Sequence, residues 1–314
     1  MSRPTQSREE SIARILPELD YSKIGISLLV MFFFAFFISP IWTGLVTSLK
    51  TTAAVTATTP FVPVMPWAEG FTFQKWTRAI DYLSTGFVNS LIMTIPSTIV
   101  TVFLGSTAAY GLTLVDWNER LQFTVLVMFL IGIFIPYQAV LVPLSDFWIN
   151  IFPLGEILAP VWQLSFFERD HARLLSLTIT HVVYGIPLCM LLFRSYYMTL
   201  SDELVEAAKV DGASITRIFT RIILPLSTPM IGVVFIYQFT AIWNEFLFSL
   251  TLIGSSSSPA ATVTLVLSGM GVDLSGIDFG FRMAGAFVAA LPTLIIYALF
   301  AEQFAKGLAA EGGT

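Results

Sequence analysis

EAAKVDGASITRIFTRIILP, residues 206–225, is a charged, helix-forming island in an apolar chain. It carries Glu206, Lys209, Asp211, Arg217 and Arg221, with the charge-free stretch Leu174–Phe193 before it and Ile222–Asn244 running out of it. The residues leading in, DELV, are helix formers, and Ser201 stands where an N-cap is wanted. Gly212, after Asp211, supplies a position where the chain can turn sharply. Ile215, Ile218, Phe219, Ile222 and Ile223 then recur at the spacing of one helix face, with Thr216, Arg217, Thr220 and Arg221 on the other. Pro225 interrupts that pattern. The stretch predicts two short helices joined by a tight turn, lying against one face of a membrane. Ala207 and Ala208 leave the first helix slim enough for another surface to approach closely. An ordinary amphipathic interfacial loop would satisfy the same pattern.

The flanking sequence identifies the solvent. The chain is 55% hydrophobic and 12% charged over 314 residues, with a mean hydropathy of +0.79. A soluble domain has about a quarter of its residues charged. Asp, Glu, Lys and Arg are absent from Ile24–Leu49, Tyr82–Val115, Leu121–Ser145, Leu174–Phe193, Ile222–Asn244 and Met283–Ala301. About 20 residues of helix cross the hydrocarbon core, so each run is long enough. The expectation is an all-α integral membrane protein with six transmembrane helices. The first run is too long for the core of a cleaved signal and is read as a retained span.

Six spans put both termini on one side, together with the loops near residues 116–120 and 194–225. That side holds ten of the 16 Lys and Arg residues, so the positive-inside bias places the termini and the charged module in the cytoplasm of a prokaryotic cell. The opposite loops are long. Phe73, Trp76, Thr77, Ile80 and Leu83 suggest a short amphipathic helix at the outer interface, with Trp76 and Tyr82 as anchors. The GSSSSPAA stretch, 254–261, opens a loop expected to be flexible.

Chemistry is sparse. The sequence contains no HExxH, GxSxG or GxxxxGK[ST] motif, which argues against a membrane enzyme and against an ATP site on this chain. His181 and His171 lack companions at ligand spacing, so no metal site is expected. Cys189 stands alone and reads as packing. A secondary transporter would show more spans and ionisable residues at mid-membrane. Glu245 is the one acid with apolar sequence on both sides. It reads as a pathway or gate residue beside Trp243 and Asn244, or equally as an interfacial or structural carboxylate. Asn89, Tyr137, Gln138, Tyr184, Tyr237 and Gln238 are further candidates to line a path, with helix-to-helix hydrogen bonding as their ordinary alternative.

The spacing Glu206-Ala207-Ala208, Gly212, and Ile222-Ile223-Leu224-Pro225 resembles the EAA loop of ATP-binding-cassette (ABC) importer permeases. The resemblance extends, in order, through FVNSLIMTIPSTI (87–99), IPYQAVLVPL (135–144), DELVEAAKVDGAS (202–214), WNEFLFSL (243–250) and FAKGL (304–308) to the carbohydrate-uptake branch, in particular the second membrane subunit of maltose-type transporters. It implies a type I importer transmembrane domain over 24–304, with its coupling loop at 201–225, a cytoplasmic segment at 1–23 and a cytoplasmic tail at 305–314. It also implies a second, similar permease, two separate ABC ATPases holding ATP and Mg, an extracellular solute-binding protein and surrounding lipid. This chain itself would hold no cofactor and no nucleic acid.

By the same resemblance, Glu206, Ala207, Ala208, Asp211, Gly212, Leu224 and Pro225 form the coupling element. Glu206 would pair with a basic residue of the ATPase, the alanines would pack closely and Gly212 would make the turn. The solute is expected to be a sugar, with an importer of amino acids, peptides or another small polar solute as the alternative. The segment PVWQLSFFERDHAR (160–173) looks like an insertion, and the tail LAAEGGT departs from the group's usual ending. The net charge of −5 fits either a high-salt environment or ordinary acidic loops.

Overall fold

The computed structural model describes residues 21–164, 168, 170–273 and 276–302, and divides into two compact units at Thr72. The N-terminal segment, the tail and the FAKGL stretch lie wholly or largely outside the described residues, as does part of the 160–173 segment.

In the first unit, helix α1 (Tyr21–Ser48) presents exposed Ile, Leu, Val and Phe side chains along most of its length. A short helix α2 (Thr52–Ala57) follows, its first turn capped by Thr51. The ammonium of Lys50 is buried and donates to Thr58 Oγ1 at 2.9 Å and to the Thr59 carbonyl at 2.7 Å. The cost of burying this charge is offset by oxygen acceptors from its own loop.

The second unit is built on α3 (Gln74–Leu114), whose 41 residues extend about 60 Å at 1.5 Å per residue, well beyond the hydrocarbon core. The expected separate interfacial helix does not form. Residues 74–83 are the first turns of α3, and the inward stripe there is Lys75, Ala79, Leu83 and Gly86, while Phe73 and Ile80 are exposed. The absence of Gly and Pro from 74–85 leaves nothing there to break the helix.

α3 packs most extensively against α7 (His171–Tyr197). Small and hydroxyl side chains let the two approach closely: Ser97 Oγ donates to the Met93 carbonyl of its own helix and reaches the Thr178 carbonyl across the seam at 3.2 Å. Cys189 is buried in the same seam, as a packing residue. A Cβ on Gly185 would strike Gln238 Nε2 and Thr101, so α7 meets its neighbours here with no room for a side chain.

The expected third span, Leu121–Ser145, is not one helix. α4 (Glu119–Phe134) ends before Pro136, which holds Ile135 extended, and α5 (Tyr137–Asp146) starts afresh and runs into a π turn at Phe147–Ile151. A four-residue helix α6 (Leu154–Ile157) precedes α7. The fifth expected span is also divided. The segment Ile215–Leu226 meets Thr228–Trp243 at 78°. Among the described residues, five helices are long and apolar enough to cross a membrane, or six if that bent pair counts as one span.

The remaining short elements of this unit are α12 (Leu247–Leu252), α13 (Val263–Gly269) and a two-residue antiparallel pair, β1 (Val272–Asp273) with β2 (Gly276–Ile277). The last described helix is α14 (Phe279–Leu299). The serine loop ends firmly. Asn89 Nδ2 donates to the Pro259 and Ala261 carbonyls, and Ser90 Oγ accepts the Val263 N–H at 2.8 Å.

Lys75 Nζ lies 2.7 Å from Asp278 Oδ1 and joins the start of α3 to the start of α14. Asp278 also caps α14 through the Phe281 N–H, and Arg78 lies 4.4 Å from the Phe281 ring centre. Burial raises the Asp278 carboxyl, but Lys75, the Phe281 N–H and the Arg78 charge more than offset this and hold it below its ordinary value of 3.8. Asp278→Ala should therefore cost about 2 kcal/mol of stability at neutral pH, less than a fully buried pair because the carboxylate keeps contact with solvent. A carboxyl held low in the folded state stabilises above its unfolded value, and that contribution is lost as pH falls through the folded value. Thermal unfolding in detergent should show wild type and variant converging as pH drops below that ordinary carboxylate range.

Candidate functional site

Two regions of the second unit hold the candidate residues. The first is the charged island. Helix α8 (Asp202–Val210) ends at Asp211, and Gly212 adopts φ +76°, a left-handed turn that any side chain would strain. Ser201 occupies the N-cap position, but its backbone carbonyl, not its hydroxyl, accepts the Leu204 N–H. The second helix runs without a break from Ile215 to Leu226, with a π segment inside it. α9 (Ile215–Ile218) is capped by Ser214, then a π turn (Phe219–Ile223) leads into α10 (Leu224–Leu226), which contains Pro225. The extra residue of the π turn keeps Ile218, Phe219 and Ile223 buried, and Ile215 turns outward.

The alanines divide. Ala208 and Val205 are buried against the protein's own core, while Ala207 faces outward with Glu206, flanked by exposed Leu204 and Val210. Leu224 is half-buried; Asp211, Gly212 and Pro225 are exposed. The outward face is therefore Glu206, Ala207 and Val210 with the turn at Gly212, a small charged and apolar patch on a rigid base.

Tyrosines anchor this segment to the long helices. Tyr110 on α3 donates its hydroxyl to the Ile215 carbonyl at 3.0 Å, and Tyr196 on α7 to the Leu226 carbonyl at 2.9 Å. Buried Tyr197 shares a 2.6 Å hydrogen bond with Ser106 of α3, and Ser227, the residue at the 78° bend, donates its hydroxyl to the Ile223 carbonyl at 2.6 Å. Lys209 reaches Asp116, beyond the end of α3, at 3.1 Å, an exposed pair of small energetic weight. The tyrosine bonds tie the segment from Ile215 to Leu226 to α3 and α7, and α11 (Thr228–Trp243) begins just beyond it.

The second region is a cavity of about 630 Å³ between α4, α5, α7, α11 and α12. Most of the sequence-derived pathway candidates line it, among them Tyr137, Gln138, Tyr237, Asn244 and Glu245. Asn89 does not; its amide is spent on the Pro259–Ala261 loop. Tyr184 and Gln238 line the cavity as well. His181 and Phe248 also belong to it and were not on that list. The signal was available, since His181, Tyr184, Gly185 and Leu188 follow one another at helical spacing on one face of α7.

Glu245 sits in the turn between α11 and α12. Its carboxylate accepts the Phe248 N–H at 2.8 Å and the Ser249 N–H at 3.4 Å, capping α12. Tyr137, Tyr184 and Phe248 form an aromatic cluster with ring centres 5.0–5.4 Å apart. Such a mixture of aromatic faces, amides and a carboxylate suits a polar solute with an apolar face. Among the described residues no group of three His, Cys, Asp or Glu side chains could hold a metal.

Residues 78–309 match the model of the binding-protein-dependent transport system inner membrane component family. The chain belongs to that family. It is 53% identical over 312 residues to the xylose/arabinose import permease of Haloferax volcanii, covering 99% of this chain and all of that one. It is 39% identical over 282 residues to a probable ABC transporter permease of Pyrococcus horikoshii, covering 89% of this chain and 93% of the relative. Its fold matches a chain of a bacterial ABC transporter that imports the acidic polysaccharide alginate, with a TM-score of 0.62 and 19% identity over 92% of this chain and 99% of that chain. This is a multi-pass plasma-membrane permease of the carbohydrate-uptake branch, with the type I importer transmembrane fold.

The anchoring hydroxyls make a local prediction. Replacing Tyr110 and Tyr196 by Phe should loosen residues 215–226, with amide hydrogen exchange there faster by about fivefold for each bond lost. Exchange in the middle of α3 and α7 should be unchanged.

Proposed function

We propose that this permease forms, with a second and similar subunit, the translocation path of an ATP-driven importer for a neutral monosaccharide of the pentose class. The observation that carries the reading is the near full-length 53% identity to a xylose/arabinose import permease. The aromatic and amide lining of the cavity is compatible with it. The termini are cytoplasmic, in keeping with the excess of Lys and Arg on that side. Residues 24–304 form the transmembrane domain, flanked by short cytoplasmic segments. An extracellular binding protein delivers the sugar.

ATP and Mg belong to two separate ATPase subunits, and this chain binds no cofactor. Coupling runs through the outward face of α8 and the turn that follows it. Glu206 pairs with a basic group on the ATPase, Ala207 allows close approach, and Gly212 holds the turn between α8 and α9. Ala208 acts from the inner side, fixing α8 to its own core. Closure of the ATPases pushes this patch, and the Tyr110 and Tyr196 hydroxyls carry the push to α3, α7 and the bend at Ser227. Leu224 and Pro225 stiffen the segment just before that bend. The cavity residues Tyr137, Gln138, Tyr237, Asn244 and Glu245 face the solute.

Purification of this chain in mild detergent from its native host tests the reading. A second permease and a Walker-A ATPase should accompany it, and [14C]xylose uptake should require all of them. Glu206→Ala and Gly212→Ala should each reduce ATPase recovery at least tenfold, the glycine change because a left-handed φ costs about 1–2 kcal/mol for an L side chain and misplaces the patch. Recovery of the chain alone, even after cross-linking through a cysteine placed at the outward-facing Ala207, would refute the coupling scheme.

A further inference from the structure

His181 and Glu245 face each other within the cavity. The imidazole Nε2 lies 3.8 Å from Glu245 Oε2, beyond hydrogen-bond distance, and both side chains are at least nine-tenths buried. Nε2 has no hydrogen-bond partner. The carboxylate is held in place by the Phe248 and Ser249 N–H groups, so Oε2 cannot simply swing across to the imidazole without giving up its cap on α12. A buried donor and a buried acceptor are thus kept apart, though ordinary packing would bring such a pair together or replace it with apolar groups.

The separation fits one intervening oxygen. An atom about 2.8 Å from each group closes a triangle across the 3.8 Å gap. With the proton of the neutral imidazole on Nε2, that oxygen must accept from His181 and donate to Glu245. A hydroxyl does both at once. An ammonium can donate to the carboxylate but has no lone pair for the imidazole N–H, so a cationic amine satisfies only half of the site. Nε2 is shielded from solvent as the side chains stand, so entry of the oxygen requires the two groups to part slightly. Glu245 is the side that can yield, because it lies on the turn before the six-residue helix α12, whereas His181 is in the middle of α7. The ring cluster of Tyr137, Tyr184 and Phe248 adjoins the pair: the imidazole and Phe248 ring centres are 5.7 Å apart, which places an apolar surface beside the polar gap.

We propose that this subunit itself binds the sugar, by clamping one sugar hydroxyl between His181 Nε2–H and Glu245 Oε2 with the aromatic cluster against the C–H face of the ring. The inference rests on the sugar-import reading and assigns a recognition role to His181 that the chain's family membership does not. With the proton on Nε2, a single hydroxyl oxygen satisfies both groups at once, whereas an isolated ammonium satisfies only the carboxylate.

The test uses the complete complex in proteoliposomes with its binding protein. Uptake of D-xylose and of its 2-, 3- and 4-deoxy analogues is compared between wild type, His181→Phe and Glu245→Gln. Xylose uptake efficiency should fall about tenfold in His181→Phe through a raised KM. One deoxy analogue, the one lacking the clamped hydroxyl, should be carried equally by wild type and variant. Glu245→Gln should single out the same analogue, and it carries the test alone if His181→Phe fails to assemble. Because each sugar is compared with itself across variants, discrimination by the binding protein cancels. Uniform loss for all four sugars, or no loss for any, would overturn the clamp while leaving sugar import intact. If the wild-type complex carries none of these sugars but transports an amino acid, the sugar reading falls and the clamp with it.

Discussion

In a bilayer a backbone polar group has no water to turn to, so a spanning segment must be helical and its helices must find one another through close packing and hydrogen bonds, not through the hydrophobic effect. The pairing of α3 with α7 is where this chain meets that constraint. Thr94, Ser97, Thr98 and Thr101 lie buried along one face of α3. Gly185 allows α7 to approach so nearly that a methyl group would collide with Gln238 and Thr101. The seam holds the second unit's long axis straight, and both functional regions are attached to it.

Because α3 is longer than the membrane is thick, its two ends work in different surroundings. At one end Lys75 and Asp278 form an ion pair that fixes the start of α14. At the other, Tyr110 and Ser106 tie α3 to the charged island and to Tyr197. The island is stiff where it meets its own permease, through Val205, Ala208, Ile218, Phe219 and Ile223, and small and polar where it faces outward. The π turn and the break at Ser227 place a mechanical discontinuity between that patch and α11, whose far end, at Asn244 and Glu245, opens onto the cavity. One helix thus runs from the charged island to the cavity.

Much of this was legible in the chain. The charge-free runs marked most of the long apolar helices, and the Glu206–Pro225 spacing marked the family. Tyr137, Gln138, Tyr237, Asn244 and Glu245 were singled out from the rarity of polar groups in apolar sequence, and they converge on one cavity. Asn89 satisfied the same criterion, yet its amide holds loop carbonyls; rarity identifies a polar group that needs a partner and does not say which. His181 was read only as a failed metal ligand, because its significance depends on Glu245, 64 positions away in the chain. The amphipathic stretch at 73–83 looked like a separate helix, since periodicity reports a face and carries no mark of where one helix passes into the next.

The sequence by itself determined the solvent, the number of apolar runs and the helix–turn–helix at residues 201–225, because these follow from local quantities: charge, propensity, and a glycine where φ must be positive. Only the tertiary structure decided that Leu121–Ser145 breaks at Pro136, that Ala208 turns inward while Ala207 turns outward, and that an imidazole and a carboxylate stand 3.8 Å apart without a hydrogen bond. Each of those depends on which surface of one helix meets which surface of another, and the close packing that settles it is a property of pairs of segments remote in sequence.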